Sequence, residues 1–182
     1  IRKLADYVAG GGFDRFMLSP KNLLVRIATS SFSVPALGDI VFGLACLVIY
    51  GLLVQVSIVQ IFLIALLVLI SIVVFLAAAI AAYSASFLFT DANSVTSGLF
   101  ELFMTPSLFH GGAFQGATRL VFTFLIPSLV VGALPVEIVK NVSLEQLAVV
   151  SIIAVVWFFL SLKLFSWGVK KYESSNFMTF GN

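Results

Sequence analysis

The chain has 182 residues, 61% of them hydrophobic and only 10% charged, with a formal net charge of +2; soluble domains carry about 25% charged residues. One cysteine, Cys46, and one histidine, His110, exclude an internal disulfide, a CxxC redox pair and any multi-histidine metal site. So small a net charge, interrupted by apolar sequence, gives no basis for nucleic-acid binding.

The sequence opens Ile1-Arg2-Lys3 without a signal-peptide pattern, which reads as the interior of a longer chain whose N-terminal part is missing. Residues 1–34 are polar enough to stay out of hydrocarbon. Gly10-Gly11-Gly12 breaks whatever helix precedes it, and Phe13 to Ser19 then forms a short helix with Phe13, Phe16 and Met17 on one face. Asp14 stands in its first turn, where the helix dipole favours a carboxylate. Ser19-Pro20 stops it and starts a second short helix, Lys21 to Ser31, with Leu23, Leu24, Ile27 and Ala28 on one side. Both fit helices lying on a membrane surface.

Ile40 to Thr90 contains no Asp, Glu, Lys, Arg or His over 51 residues. A hydrocarbon core of about 30 Å needs roughly 20 helical residues, so this run is too long for one span and suits two. Gly51 and the segment Gln55 to Gln60 mark the turn, where both glutamines meet water. The spans are Pro35 to Val54 and about Ile58 to Thr90; the second must tilt or project beyond the bilayer. Ala77, Ala81 and Ala85 recur every four residues and make a packing face, with a substrate path as the alternative.

Residues 91–115 form a mixed connection holding Glu101, Pro106 and His110, with Phe100, Phe103 and Met104 suggesting an interfacial helix. A third span is expected from about Gly116 to Leu134, interrupted by Pro127 and Gly132 and closed by Pro135. Because proline removes a backbone bond, Ile126 to Val139 reads as a broken or re-entrant piece. Ser143-Leu144-Glu145-Gln146 matches a capping box and opens a last span to about Gly168, with Lys163 snorkelling and Trp167 and Tyr172 at the interface. The fold is thus all-α: a polytopic membrane protein of about four transmembrane helices plus interfacial helices. Its regions are 1–34, a spanning part 35–168 and a tail 169–182. Four spans put Arg2, Lys3, Arg15, Lys21, Arg26, Arg119, Lys163, Lys170 and Lys171 on one side and only Lys140 on the other, which makes both ends cytoplasmic.

No phosphate-binding glycine loop, nucleophile elbow or zinc-hydrolase motif occurs. Glu101 and His110 are the one candidate acid/base pair. They sit nine residues apart in a connection, where two solvated side chains are the plainer reading.

Two stretches carry a family resemblance. Gly12-Phe13-Asp14-Arg15-Phe16-Met17-Leu18-Ser19-Pro20, ahead of a span with Leu37-Gly38-Asp39 and Gly43, resembles the G-x-(L/F)-D-x-x-L-x-x-P segment of type-2 ABC exporter permeases. Phe124-Leu125-Ile126-Pro127 with Pro135, then Gly168-Val169-Lys170-Lys171-Tyr172-Glu173-Ser174-Ser175, is similar to the proline element and the G-x-(R/K)-(R/K)-Y-E-S-A tail of their six-span bacterial branch. The tail has Ser175 where alanine is usual, and Ser19 stands where arginine is common before the proline. The resemblance covers nearly all of this chain and the last two-thirds of a family member. It implies a permease subunit of the inner membrane that pairs with a second permease subunit and grips a separate ABC ATPase subunit. It further implies that this chain has no catalytic residue, bound cofactor or metal of its own. Docking would fall on Gly12, Phe13, Asp14, Arg15, Phe16 and Pro20, and a re-entrant, gating element on Pro127, Gly132 and Pro135. From the residues alone, the apolar face of Phe13, Phe16 and Met17 fits lipid as well as a partner.

Overall fold

The computed structural model describes residues 3–18, 22–30, 33–89 and 91–172, and among them every regular element is helical. Three short helices come first: α1 (Leu4–Ala9), α2 (Asp14–Met17) and α3 (Leu23–Thr29). The long helix α4 (Pro35–Val54) follows, with its proline in the first turn where no N–H is needed. It ends as Gln55 adopts a left-handed conformation (φ 53°), which turns the N–H groups of Gln55 and Val56 back to the Gly51 carbonyl. Ser57 then caps α5 (Ile58–Ser84) reciprocally. Its Oγ accepts from the Gln60 N–H, and Gln60 Oε1 accepts from the Ser57 N–H at 2.8 Å. A tight helical turn, Ala85–Phe87, extends α5.

The last helix, α10 (Leu144–Lys171), runs beside α5 in the same direction. Near one end, Gln60 Nε2 donates to the Val139 carbonyl, just ahead of the α10 start. At the other, Phe87 packs edge-on against Phe165 at 5.8 Å, and its ring touches Gly168. The small-residue stripe of α5 is largely buried, Ala77 completely.

Two parallel neighbours oblige the chain between them to cross back. The helix α6 (Ala92–Ser107), capped by Asp91 accepting from the Ser94 N–H, makes the first half of that crossing. It climbs along α5 with Phe100 against Tyr83 and Phe75, and Phe103 against Phe75. After a turn at Gly111–Ala113, α7 (Ala117–Leu120) continues into a π-helical segment, Val121–Leu125, and dips beside α10. Then α8 (Ser128–Val131) and α9 (Ala133–Asn141) climb to the start of α10 and complete the crossing. The third span expected over Gly116–Leu134, interrupted by Pro127 and Gly132, folds back at Pro127 and does not run straight across. Pro127 forces Ile126 into an extended conformation (φ −128°, ψ 90°). Gly132 (φ −95°, ψ −85°) then separates α8 from α9. Pro135 does not close a helix either; it lies in the first turn of α9, which passes through it. Among the described residues three helices are long and apolar enough to span a bilayer, and the chain returns between α5 and α10 through α6 with α8 and α9.

The broken backbone is satisfied from within. Ser128 N–H bonds the Ile126 carbonyl instead of Phe124, and the Trp157 indole donates to the Phe124 carbonyl at 3.0 Å. The buried hydroxyls of Ser84, Ser86, Thr96 and Ser161 all bond carbonyls of their own helices.

Helix length sorts the core into two storeys. The continuous span Ile58–Phe87 has 30 residues and α10 has 28, so they run about 45 and 42 Å, against about 30 Å of hydrocarbon. Measured from the Ser57 turn, about 30 Å ends near Ala78 on α5, and the same length of α10 ends near Lys163. The packing divides at that level. One cluster joins Leu63 through Ala78 with Phe103, Leu129 to Ile138 and Val150 to Ala154. The other joins Ala79, Ile80, Tyr83, Phe87 and Phe165 with Leu4, Phe13, Phe16 and Ile27. A hydrocarbon layer of about 30 Å starting at the Ser57 turn would take in the first storey and leave the second, with α1 to α3, beyond it. Apolar side chains such as Phe62, Leu69, Ile152 and Phe159 cover the outside of the membrane storey and face lipid.

The junction of the composite crossing is close-packed. A Cβ at Gly132 would run into the backbone carbonyl of Ser107, whereas one at Gly98, mid-way along α6, would meet nothing. Gly132→Ala should lower stability by about 1–3 kcal/mol, as overpacking against backbone does. Gly98→Ala should be neutral or stabilise by up to about 1 kcal/mol. Thermal unfolding in detergent compares the two, and equal melting would show that the junction yields freely.

Candidate functional site

The turn through Gly10 to Gly12, with Gly11 at φ 68°, folds α2 back onto α1, and the Phe13 N–H bonds the Tyr7 carbonyl at 3.0 Å. The Phe13 ring enters the projecting storey and is fully buried. Its centroid lies 5.1 Å from that of Phe87 and 4.9 Å from that of Tyr172, both edge-on. One aromatic side chain of α2 thus touches the ends of both long parallel helices. Phe16 is buried against Tyr7, ring to ring at 5.0 Å. The Arg15 guanidinium covers both rings at 5.0 Å, and Arg26 stands 5.4 Å from the Phe16 ring while donating to the Phe16 carbonyl at 2.7 Å. Arg26 thereby holds a C-terminal carbonyl of α2, where a cation is favoured.

Burial pushes the Tyr172 phenol above its usual pKa. The neighbouring Asp14 carboxylate adds to the rise through its charge and as an acceptor for the phenolic proton. Tyr172 therefore stays protonated at neutral pH, facing an acid on α2.

Gly12, Phe13, Asp14, Arg15 and Phe16 are brought together around this one turn, while Pro20 lies outside the described residues. The face drawn from helical spacing divides. Phe13 and Phe16 turn inward, whereas Met17 is 50% and Leu18 87% exposed. The apolar surface that the sequence offers to lipid or to a partner is mostly satisfied within the chain, and Met17 and Leu18 remain as its outward tip.

At the far end, Pro127, Gly132 and Pro135 lie on one broken segment. Pro127 is buried at the bottom of the dip, Gly132 abuts α6, and Pro135 faces a cleft. That cleft, of about 700 Å³, lies between α4, α5 and the α8–α9 segment. A smaller one of about 320 Å³ sits between α7 and the start of α10. An ion pair that the sequence reading missed closes the dip: Arg119 donates to Glu137 at 2.5 Å, both partly exposed, and Glu137 rests against Gly111. Arg119 therefore belongs to the Lys140 end and not to the opposite side. Of the eight basic residues among those described, Lys3, Arg15, Arg26, Lys163, Lys170 and Lys171 lie toward the end that carries the N-terminal helices, and Arg119 and Lys140 lie toward the other. Nothing local in the sequence joins positions 119 and 137; the pairing depends on the Pro127 break that folds one segment along the other.

Glu101 and His110 do not meet. Glu101 is exposed midway along α6, and the His110 Nδ1 accepts from the Gly112 N–H, a turn cap beyond the helix end. Among the described residues no group of three His, Cys, Asp or Glu side chains could hold a metal ion.

The sequence model of the family described as ABC-2 family transporter protein matches residues 1–176. No curated protein and no solved structure matches the chain. Its long apolar helices, its broken crossing and this match over nearly its whole length agree: the chain belongs to the ABC-2 family of transporter proteins and is a multi-pass permease component of an ABC transporter.

Proposed function

We propose that this permease turns the ATP-driven closure of a partner ATPase into a change of access for an exported substrate, with hydrolysis confined to the partner. The observation that carries this reading is the Phe13 ring wedged between Phe87 at the end of α5 and Tyr172 at the end of α10. A force on α2 reaches both spanning helices through one rigid contact. The ATPase docks on the outward tip, Met17 and Leu18, with Asp14 and Arg15 fixing its orientation at the rim, where charges govern specificity more than strength. Gly12 follows the left-handed turn at Gly11 that seats Phe13, and Phe16 locks α2 to α1.

At the opposite end, Pro127, Gly132 and Pro135 let the hairpin change its angle as α5 and α10 move, which gates the outer side of the path. A second permease subunit completes that path. The basic asymmetry, six to two among the described residues, favours an N-terminal segment and tail turned toward the cytoplasm of a bacterial inner membrane.

Leu18 is so exposed that its replacement leaves folding intact. Leu18→Glu should cut the ATPase copurified per permease by about tenfold, a loss of about 1.4 kcal/mol, with membrane insertion unchanged. Undiminished copurification would remove α2 as the docking site. Phe13→Leu keeps an apolar filler but loses both edge-on ring contacts, each worth about 0.5–1.5 kcal/mol. It should retain the ATPase yet depress substrate-stimulated hydrolysis severalfold in the reconstituted complex; wild-type stimulation would show that force does not pass through this ring.

Orientation has its own test. In a Cys46→Ala background, cysteines placed at Ser57 and Asn141 should react with an impermeant thiol reagent in intact cells. One at Met17 should react only after permeabilisation. Reaction at Met17 from outside would invert the topology.

A further inference from the structure

We infer that the cleft between α4, α5 and α9 binds a single anionic lipid from the bilayer leaflet at the Lys140 end. Its walls are almost wholly apolar: Leu47 and Tyr50 of α4 on one side, Val68 and Phe75 of α5 and Val136 of α9 on the other. Along α5 the lining runs from Ile64 to Phe75, about 16 Å at about 1.5 Å per residue, a length that an extended acyl chain fills. The volume of about 700 Å³ is far larger than packing defects among close-packed helices.

The cleft also has a lateral entrance. No residue of α4 is buried, and no other element packs extensively on it, so that wall is held mainly by the Gln55 turn. A lipid diffusing in the bilayer enters sideways without crossing a polar barrier.

The charge of the headgroup follows from the rim. Lys140 lines the cleft at the end of α9, is exposed, and has no acidic partner among the described residues. Glu137, one turn before it, is committed to Arg119 and carries no free charge to oppose an anion. Tyr50, close to the turn on α4, lines the same cleft and adds an amphipathic ring of the kind that settles at headgroup level. An ammonium at the mouth of an apolar slot selects an acyl chain bearing a phosphate or a similar anion.

This inference does not depend on transport, and its test reads binding alone. The full chain is reconstituted in phosphatidylcholine vesicles containing a phosphatidylglycerol with a photoactivatable diazirine at the end of one acyl chain. A parallel set carries the same chain on phosphatidylcholine. After irradiation, labelled peptides are mapped by mass spectrometry. The phosphatidylglycerol probe should label the deep cleft residues, Ser71 to Phe75 and Val131 to Gly132, about fivefold more than the phosphatidylcholine probe, the preference one interfacial lysine gives an anionic headgroup. Lys140→Gln should abolish the difference while leaving residual labelling. Val68→Trp, at a position already exposed, should fill the slot and suppress labelling by both probes. Labelling no stronger in the cleft than on the lipid-facing side of α10 at Ile152 and Phe159 would overturn the inference. So would a preference for phosphatidylglycerol that survives Lys140→Gln. Absence of labelling by both probes, as when another protein segment or a second copy fills the cleft, would overturn it as well.

Discussion

The structure depends on a mismatch of length. Two helices of about 45 and 42 Å stand side by side, pointing the same way, in a slab of hydrocarbon about 30 Å thick. Because they are parallel, the segment between them must return across the membrane. Because they are longer than the slab is thick, the pair must tilt or project from it. The excess becomes a second packing storey, built from Ile80, Tyr83, Phe87 and Phe165, to which the N-terminal helices attach. A pair of helices matched to the bilayer would offer α2 only lipid headgroups to rest on.

The return crossing follows a different constraint. Inside hydrocarbon each backbone group needs a partner, so a span can be interrupted only where protein surrounds the break. The interruption at Pro127 meets this condition. Trp157 supplies an indole donor to Phe124, the π-helical segment carries the Ile126 N–H to the Val121 carbonyl, and Pro127 itself is buried. Gly132 meets α6 so closely that only the absence of a side chain allows it.

Much of this was legible in the sequence. The charge-free run with Gly51 and two amides at its middle gave the hairpin of α4 and α5, and Pro127 and Gly132 marked the broken segment. The Ser143 cap forms as the spacing indicates, although only half of it does: the Ser143 hydroxyl accepts from the Gln146 N–H, while Gln146 Oε1 is buried without a partner. Ser57-Ile58-Val59-Gln60 carries the same S-x-x-Q signal and forms the full box, which the reading of both glutamines as water-facing passed over. Gln60 instead joins the turn to α9. What local pattern could not supply was pairing across distance. Helical spacing put Phe13, Phe16 and Met17 on one face but cannot say what covers that face. Arg119 and Glu137 are joined only by the fold of the chain at Pro127.

The forces that hold α2 come from outside it. A single helical turn does not form by itself, since nucleation fixes several dihedral angles for one hydrogen bond. Its position is set from outside: by Phe13 between Phe87 and Tyr172, by Arg15 over two rings and by Arg26 on a carbonyl. Ring contacts contribute about 0.5–1.5 kcal/mol each beyond area burial, and cation–π contacts of exposed arginines about 0.5–1 kcal/mol. Several such contacts outweigh anything intrinsic to four residues, so α2 takes its place from the ends of α5 and α10. The converse holds by the same energetics. When α5 and α10 shift relative to one another, the slot for Phe13 changes shape, and α2 must shift with it or lose the contacts that make it a helix.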